Sequence, residues 1–259
     1  MKQRIISGSI IGVITLLSVL LGGYLLTAVL GFIIAWGSYE AISAKNEKIN
    51  IILYIILCGS CACIWLFPQF SISVLIFELI VLLTYGVFTK KENLYELSYI
   101  FLMSVLIGFG VYYIDYTQSF SKWLLGYVII ISYLTDVFAL LIGTKYGRHK
   151  LNERISPKKT IEGAIGGWLC GCAISIIWAA IFRWFYMDYR IILISSVCLP
   201  IISQIGDLVF SMIKRHFIIK DFSNLIPGHG GLLDRLDSLI FCIIFFGALI
   251  SLLAWERLF

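Results

Sequence analysis

The sequence predicts an all-α integral membrane protein, a polytopic bundle of about nine transmembrane helices. Three observations predict it. Apolar residues make up 60% of the chain and charged residues only 14%, against about 45–50% and about 25% in soluble globular domains. Mean hydropathy is +0.97. The apolar residues gather into runs of about 20, the length that carries a helix across a hydrocarbon core.

The expected spans run 5–21, 23–43, 50–67, 71–88, 97–114, 123–143, 162–182, 190–213 and 238–255. The first follows Lys2 and Arg4 and has no small-residue cleavage pattern, so it is expected to be a retained helix and not a leader. The first four spans carry little polar chemistry besides Glu40 and Glu78. Cys58, Cys61, Cys63, Cys170, Cys172, Cys198 and Cys242 all fall inside spans and read as small buried apolar residues. The Cys58/Cys61 pair has the spacing of half a zinc knuckle, but no second pair or His lies near it in sequence. Two regions are expected: 1–122, with about five helices for scaffolding or lipid access, and 123–259, with about four helices and the catalytic chemistry.

Orientation follows from basic residues, which stay on the cytoplasmic side. With nine spans and an inner N-terminus, the inner segments hold Lys2, Arg4, Lys45, Lys48, Lys90, Lys91, Lys145, Arg148, Lys150, Arg154, Lys158, Lys159, Lys214, Arg215, Lys220 and Arg235. The outer ones hold Lys122, Arg183, Arg190 and Arg257. Sixteen of the twenty basic residues are then inside. The net charge of +5 becomes a basic cytoplasmic face, suited to anionic head groups or nucleotide phosphates.

Two polar segments interrupt the second half. In "TKYGRHKLNERISPKKTIEGAIGG" the charges alone fit a positive-inside loop. "SPKKTIEG" carries more. Ser156-Pro157 reads as a helix start with Pro at the first helical position. Lys158, Lys159 and Thr160 are then expected in the first turn, where free N–H groups favour an anion. Glu162 is read either as a balance for the dipole and lysines or as the orienter of a lysine.

The second segment is "SMIKRHFIIKDFSNLIPGHGGLLDRLDS". Upstream, Asp207, Ser211 and Lys214 recur at i, i+4 and i+7 and share one helix face. An acid within a span marks a functional site, although Asp207 could simply pair with Lys214 or Arg215. The glycines around His229 permit positive φ and close ligand approach, or only a turn. Asp234 and Asp237, three apart, are either first-turn caps or, with Asp207, an oxygen-rich site suited to Mg²⁺. Carboxylates, lysines and glycines at one membrane face point to phosphoryl or nucleotidyl transfer involving a membrane lipid.

The same stretch resembles the C-terminal signature of the phosphatidate cytidylyltransferase (CDP-diacylglycerol synthase) family. The resemblance rests on Ser211, Lys214-Arg215, Lys220-Asp221, Ile226-Pro227, His229-Gly230-Gly231, Asp234-Arg235 and Asp237. "ISPKKTIEGAIGG" and Asp136 in "SYLTDVFALLIGTKYGRHKL" are also similar to the family, although the small-residue and Tyr pattern after Asp136 is only loosely kept. The resemblance implies that CTP and phosphatidic acid give CDP-diacylglycerol and pyrophosphate with Mg²⁺. It implies a bacterial-type inner membrane, a homodimer, contact with membrane lipids and no nucleic-acid partner. On this reading Asp207, Asp234 and Asp237 serve the metal. Lys214, Lys220, Arg235, Lys158 and Lys159 hold phosphates, with Arg215, Ser156, Thr160 and His229 beside them. Ser211 donates a hydrogen bond, and the Gly230-Gly231 backbone approaches the triphosphate. The rivals are a CTP-dependent polyprenol kinase and an ion-coupled transporter using Asp136 and Asp207 as its path.

Overall fold

The computed structural model describes residues 2–44, 49–89, 93–182, 189–225 and 230–255. Among them are nine α-helices: α1 Lys2–Leu21, α2 Gly23–Ser43, α3 Ile51–Leu66, α4 Ser71–Phe88, α5 Leu94–Phe120, α6 Lys122–Tyr146, α7 Ile161–Ile181, α8 Tyr189–His216 and α9 Leu233–Trp255. Seven helical segments are long and apolar enough to cross a membrane; α3 and the apolar part of α1 are shorter. The chain is an all-α polytopic membrane protein, as its hydropathy predicts. Large apolar side chains such as Ile72, Phe77 and Ile80 on α4 are exposed, as lipid-facing positions require.

The helix start expected at Ser156-Pro157 is not one. Residues Lys150–Asn152 (β1) and Ser156–Thr160 (β2) form an antiparallel hairpin. Helix α7 begins only at Ile161, where Thr160 in extended conformation accepts a hydrogen bond from Gly163 N–H at 3.1 Å. A hydroxyl at the N-cap satisfies one of the free first-turn donors. Thr160 therefore takes the cap, and Lys158 and Lys159 lie in strand before the helix. Glu162 does not orient a lysine. Its carboxylate accepts from Arg148 N–H (3.0 Å) and His149 N–H (3.2 Å) and pairs with His149 Nδ1 (2.6 Å), which ties the hairpin entrance to α7.

The chain forms two compact units. The first comprises Met1–Tyr116 with Ile219–Arg235, the second Thr117–Ile218 with Leu236–Phe259. In the first, Leu30, Leu53, Leu57, Ile64, Leu82, Ile100, Met103 and Ile107 are buried. Tyr99 donates to the Ala41 carbonyl at 3.0 Å, and Ser104 to Glu78 at 2.7 Å. These bonds satisfy polar groups that lipid and packed apolar side chains cannot. All seven cysteines are free thiols, but only Cys61 and Cys242 are buried; Cys63 is exposed and the rest are intermediate, so burial does not hold for the set.

In the second unit, small residues let α6 and α7 approach. A Cβ on Gly167 would stand 2.7 Å from Ala139 Cβ and 2.9 Å from the Thr135 carbonyl. On Gly163 it would stand 2.6 Å from the Ala139 carbonyl, and on Gly171 2.7 Å from Pro200 Cγ. The seam thus pairs Thr135, Ala139 and Gly143 of α6 with Gly163, Gly167 and Gly171 of α7. In both rows the spacing is four residues, one helix face. Pro200 cannot donate to the carbonyl four residues back. Ser175 of α7 donates to that carbonyl, Ser196 O, at 3.5 Å, and Trp168 donates to the next, Val197 O, at 3.1 Å. At the other side of α8, a Cβ on Gly206 would stand 2.9 Å from the Asp237 carbonyl. That approach brings α9 beside Asp207.

Candidate active site

The second unit contains a cavity of about 270 Å³. Asp136 and Thr144 of α6, Lys158, Lys159 and Thr160 of β2, and Gln204 and Asp207 of α8 line it, with Ala139, Leu140 and Leu151 as apolar wall. Lys159 ion-pairs with Asp207 Oδ2, and each side chain is about a quarter exposed. Asp207 thus has Lys159, which the hairpin delivers, as an ion-pair partner. The shared face of α8 is realised: Ser211 Oγ donates to Asp207 Oδ1 at 3.3 Å.

Asp237 lies in electrostatic range of Asp207, Asp136 and Lys214. Its Oδ1 accepts from Ser238 N–H at 2.7 Å. Ser238 Oγ donates to Asp136 Oδ2 at 2.7 Å. Lys214 is buried, and Arg215 Nε donates to the Ile155 carbonyl at 3.4 Å. Three carboxylates and two lysines therefore share one neighbourhood. Ser156 sits at the turn end of the hairpin, opposite Asn152 and outside the cavity lining.

The first unit holds the other predicted residues. Asp234 is buried, and its Oδ2 accepts from Phe222 N–H at 2.8 Å and Gly231 N–H at 2.9 Å. From the first turn of α9 it links the backbones of Phe222 and Gly231. Gly230 has φ +85°, and a Cβ there would stand 2.9 Å from Asp234 Oδ2. Glycine is required on both counts. Lys220 is exposed and Arg235 half-buried. His229 lies outside the described residues, as do Ile226 and Pro227 of the signature.

Hard oxygen donors of this kind suit Mg²⁺, which takes one or two carboxylates and completes its shell with water and substrate phosphates. Among the described residues, no three His, Cys, Asp or Glu side chains converge as a ready metal cage.

The sequence profile of the cytidylyltransferase family matches residues 2–253. The chain belongs to that family. Its relatives are named phosphatidate cytidylyltransferases. The Staphylococcus haemolyticus protein is 35% identical over 250 residues, 93% of this chain and 95% of its own length. The Bacillus subtilis protein is 30% identical over 268 residues, 97% of this chain and 98% of its own. The Staphylococcus aureus protein is 40% identical over 162 residues, 62% of each. A cytidylyltransferase moves a nucleotidyl group, so this membrane protein is an enzyme. Sequence reasoning missed Thr144, Gln204 and Ser238. Gln204, a lone amide in an apolar run, was the readable signal; it donates to the Ala164 and Pro200 carbonyls at 3.1 and 3.2 Å.

Proposed function

We propose that this chain transfers CMP from CTP to phosphatidic acid, at the cytoplasmic face of a bacterial cell membrane, giving CDP-diacylglycerol and pyrophosphate. The observation that carries the reading is the cavity in which Lys159 and Asp207 meet beside Lys158, Thr160 and Asp136. It combines cationic groups for phosphates with carboxylates for a divalent ion, and the family supplies the reaction class.

The attacking atom is a phosphate oxygen of the lipid. A phosphate monoester has a second pKa near ~6, so this oxygen is ionised at neutral pH. No side chain need take a proton. The oxygen bonds to the α-phosphorus of CTP, and the bond from that phosphorus to the β-phosphate oxygen breaks. Pyrophosphate leaves with the electron pair. The protein must hold two polyanions together and offset charge growing on the leaving group. Lys158 and Lys159 do this at the cavity wall, and Lys214 lies within electrostatic range of Asp237. Mg²⁺, when bound, supplies further neutralisation of the phosphates; Asp207 and Asp237 would hold it. Asp234 organises the loop that carries Gly230 and Gly231.

The test is CTP labelled on the α- or the γ-phosphate, given to purified protein with phosphatidate in mixed micelles. Label from the α position is expected in the lipid. Label only from the γ position would mean a CTP-dependent lipid kinase, and no lipid label from either would overturn transfer altogether. Chelation is expected to stop turnover and Mg²⁺ or Mn²⁺ to restore it.

A further inference from the structure

Glu40 stands on α2, in the half of the chain that the proposed chemistry does not use. It is fully buried. Four donors meet its carboxylate: Trp36 Nε1 at 3.1 Å, Ser223 Oγ at 2.6 Å, and the backbone N–H groups of Leu232 and Leu233 at 2.8 Å each. Three of the four, from Ser223, Leu232 and Leu233, lie more than 180 residues away in sequence, within the same compact unit. Leu233 opens α9, so Glu40 caps that helix from another helix. First-turn N–H groups have no partner inside their own helix, and a carboxylate suits the positive end of the dipole.

The approach is specific. A Cβ on Gly231 would stand 2.6 Å from Glu40 Oε1 and 2.7 Å from Oε2, so glycine there lets the carboxylate reach the backbone. Ser223 turns inward to Glu40 while accepting from Leu225 N–H at 3.1 Å. Asp234 accepts from Phe222 and Gly231 N–H. Two carboxylates thus grip the described parts of one loop, and that loop bears Lys220, Gly230 and Gly231.

We infer that Glu40 is a positioning residue for the reaction. From α2 it sets the glycine loop and the first turn of α9 in the shape that receives the nucleotide phosphates. This rests on the proposed CTP reaction, but Glu40's hold on the loop can be measured apart from it.

The experiment compares wild type, Glu40→Gln and Ser223→Ala as purified full chains. Hydrogen exchange reports the peptides spanning 221–235, and initial rates give kcat/KM for CTP. Glu40→Gln retains size and one acceptor oxygen but leaves a buried N–H unmatched. It is expected to speed exchange across 231–234 while the α6–α7 peptides stay unchanged, and to lower kcat/KM for CTP about tenfold or more. Ser223→Ala removes one donor and is expected to shift both readouts in the same direction by less; it decides the matter should Glu40→Gln not fold. Unchanged loop exchange in Ser223→Ala and in any folded Glu40→Gln overturns the inference. So does faster exchange spread over the whole chain. A wild-type protein that forms no CDP-lipid would sink the proposed reaction, while the loop exchange would still report whether Glu40 holds the segment.

Discussion

At the residue scale the proposed chemistry turns on the Lys159–Asp207 pair. Each is partly withdrawn from water, so each makes the other tolerable at a membrane boundary. If the pair only stabilised the fold, replacing both should restore what replacing either removes. If both act on substrate or metal, the double variant stays inactive. Lys159→Gln and Asp207→Asn are each expected to lower kcat about 10²-fold or more, and the double variant is expected to show no recovery. CDP-lipid formation at saturating CTP, with particle homogeneity checked by gel filtration, measures this. Asp207 was legible in the sequence because an acid inside an apolar run is costly. Its partner was not. The nearby Lys214 and Arg215 were the local candidates, and only tertiary packing brings a strand lysine from 48 residues upstream. The four donors on Glu40 were hidden for the same reason, although a carboxylate in a span was signal enough to look.

At the scale of elements, the hairpin and the α6–α7 seam place the cavity wall. Ser156-Pro157 satisfies the rules for a helix start and also those for an extended dipeptide, because Pro fixes φ and removes a donor in both. What separates the two is Thr160, whose hydroxyl caps α7. Thr160→Ala is therefore expected to cost about 1 kcal/mol of stability and to raise the KM for CTP, since the same residue lines the cavity. Thermal unfolding in detergent and initial rates test both. The seam allows a sharper test. Gly167→Leu must displace Ala139 or the Thr135 backbone, and overpacking of this kind costs about 1–3 kcal/mol or more. Loss of thermal stability with loss of turnover is expected. A Gly167→Leu protein as stable as wild type would mean that the helices pack otherwise. The four-residue glycine spacing stood in the sequence, but its partner row on α6 could be recognised only with both helices in view.

For the whole molecule, hydropathy was sufficient. The nine apolar runs correspond to nine helices among the described residues, seven of them long and apolar enough to span and two shorter, with ends shifted by up to six residues, because run length against bilayer thickness is a strong constraint. Which side faces the cytoplasm rests on the basic residues. Single cysteines at Asn93 and Asn152, in a background without native Cys, are expected to resist an impermeant thiol reagent in intact cells, and one at Gln69 to react. Labelling of Asn152→Cys from outside would reverse the orientation and remove CTP from its side.

The cavity wall has one more consequence. Leu140 lines the same cavity as Lys159 and is 63% exposed, and Val137 and Leu141 beside it on α6 are exposed too. A phosphatidate whose phosphate enters the cavity can leave its acyl chains along that face. Under the proposed reaction the substrate never dissolves; it arrives by diffusion in two dimensions. The quantity that saturates the enzyme is then a mole fraction and not a bulk concentration. Diluting phosphatidate with an inert phospholipid, at constant total phosphatidate, is expected to slow the rate hyperbolically; a rate indifferent to dilution would mean capture from the aqueous side. A bilayer crowded with other lipids would throttle this enzyme by surface density alone.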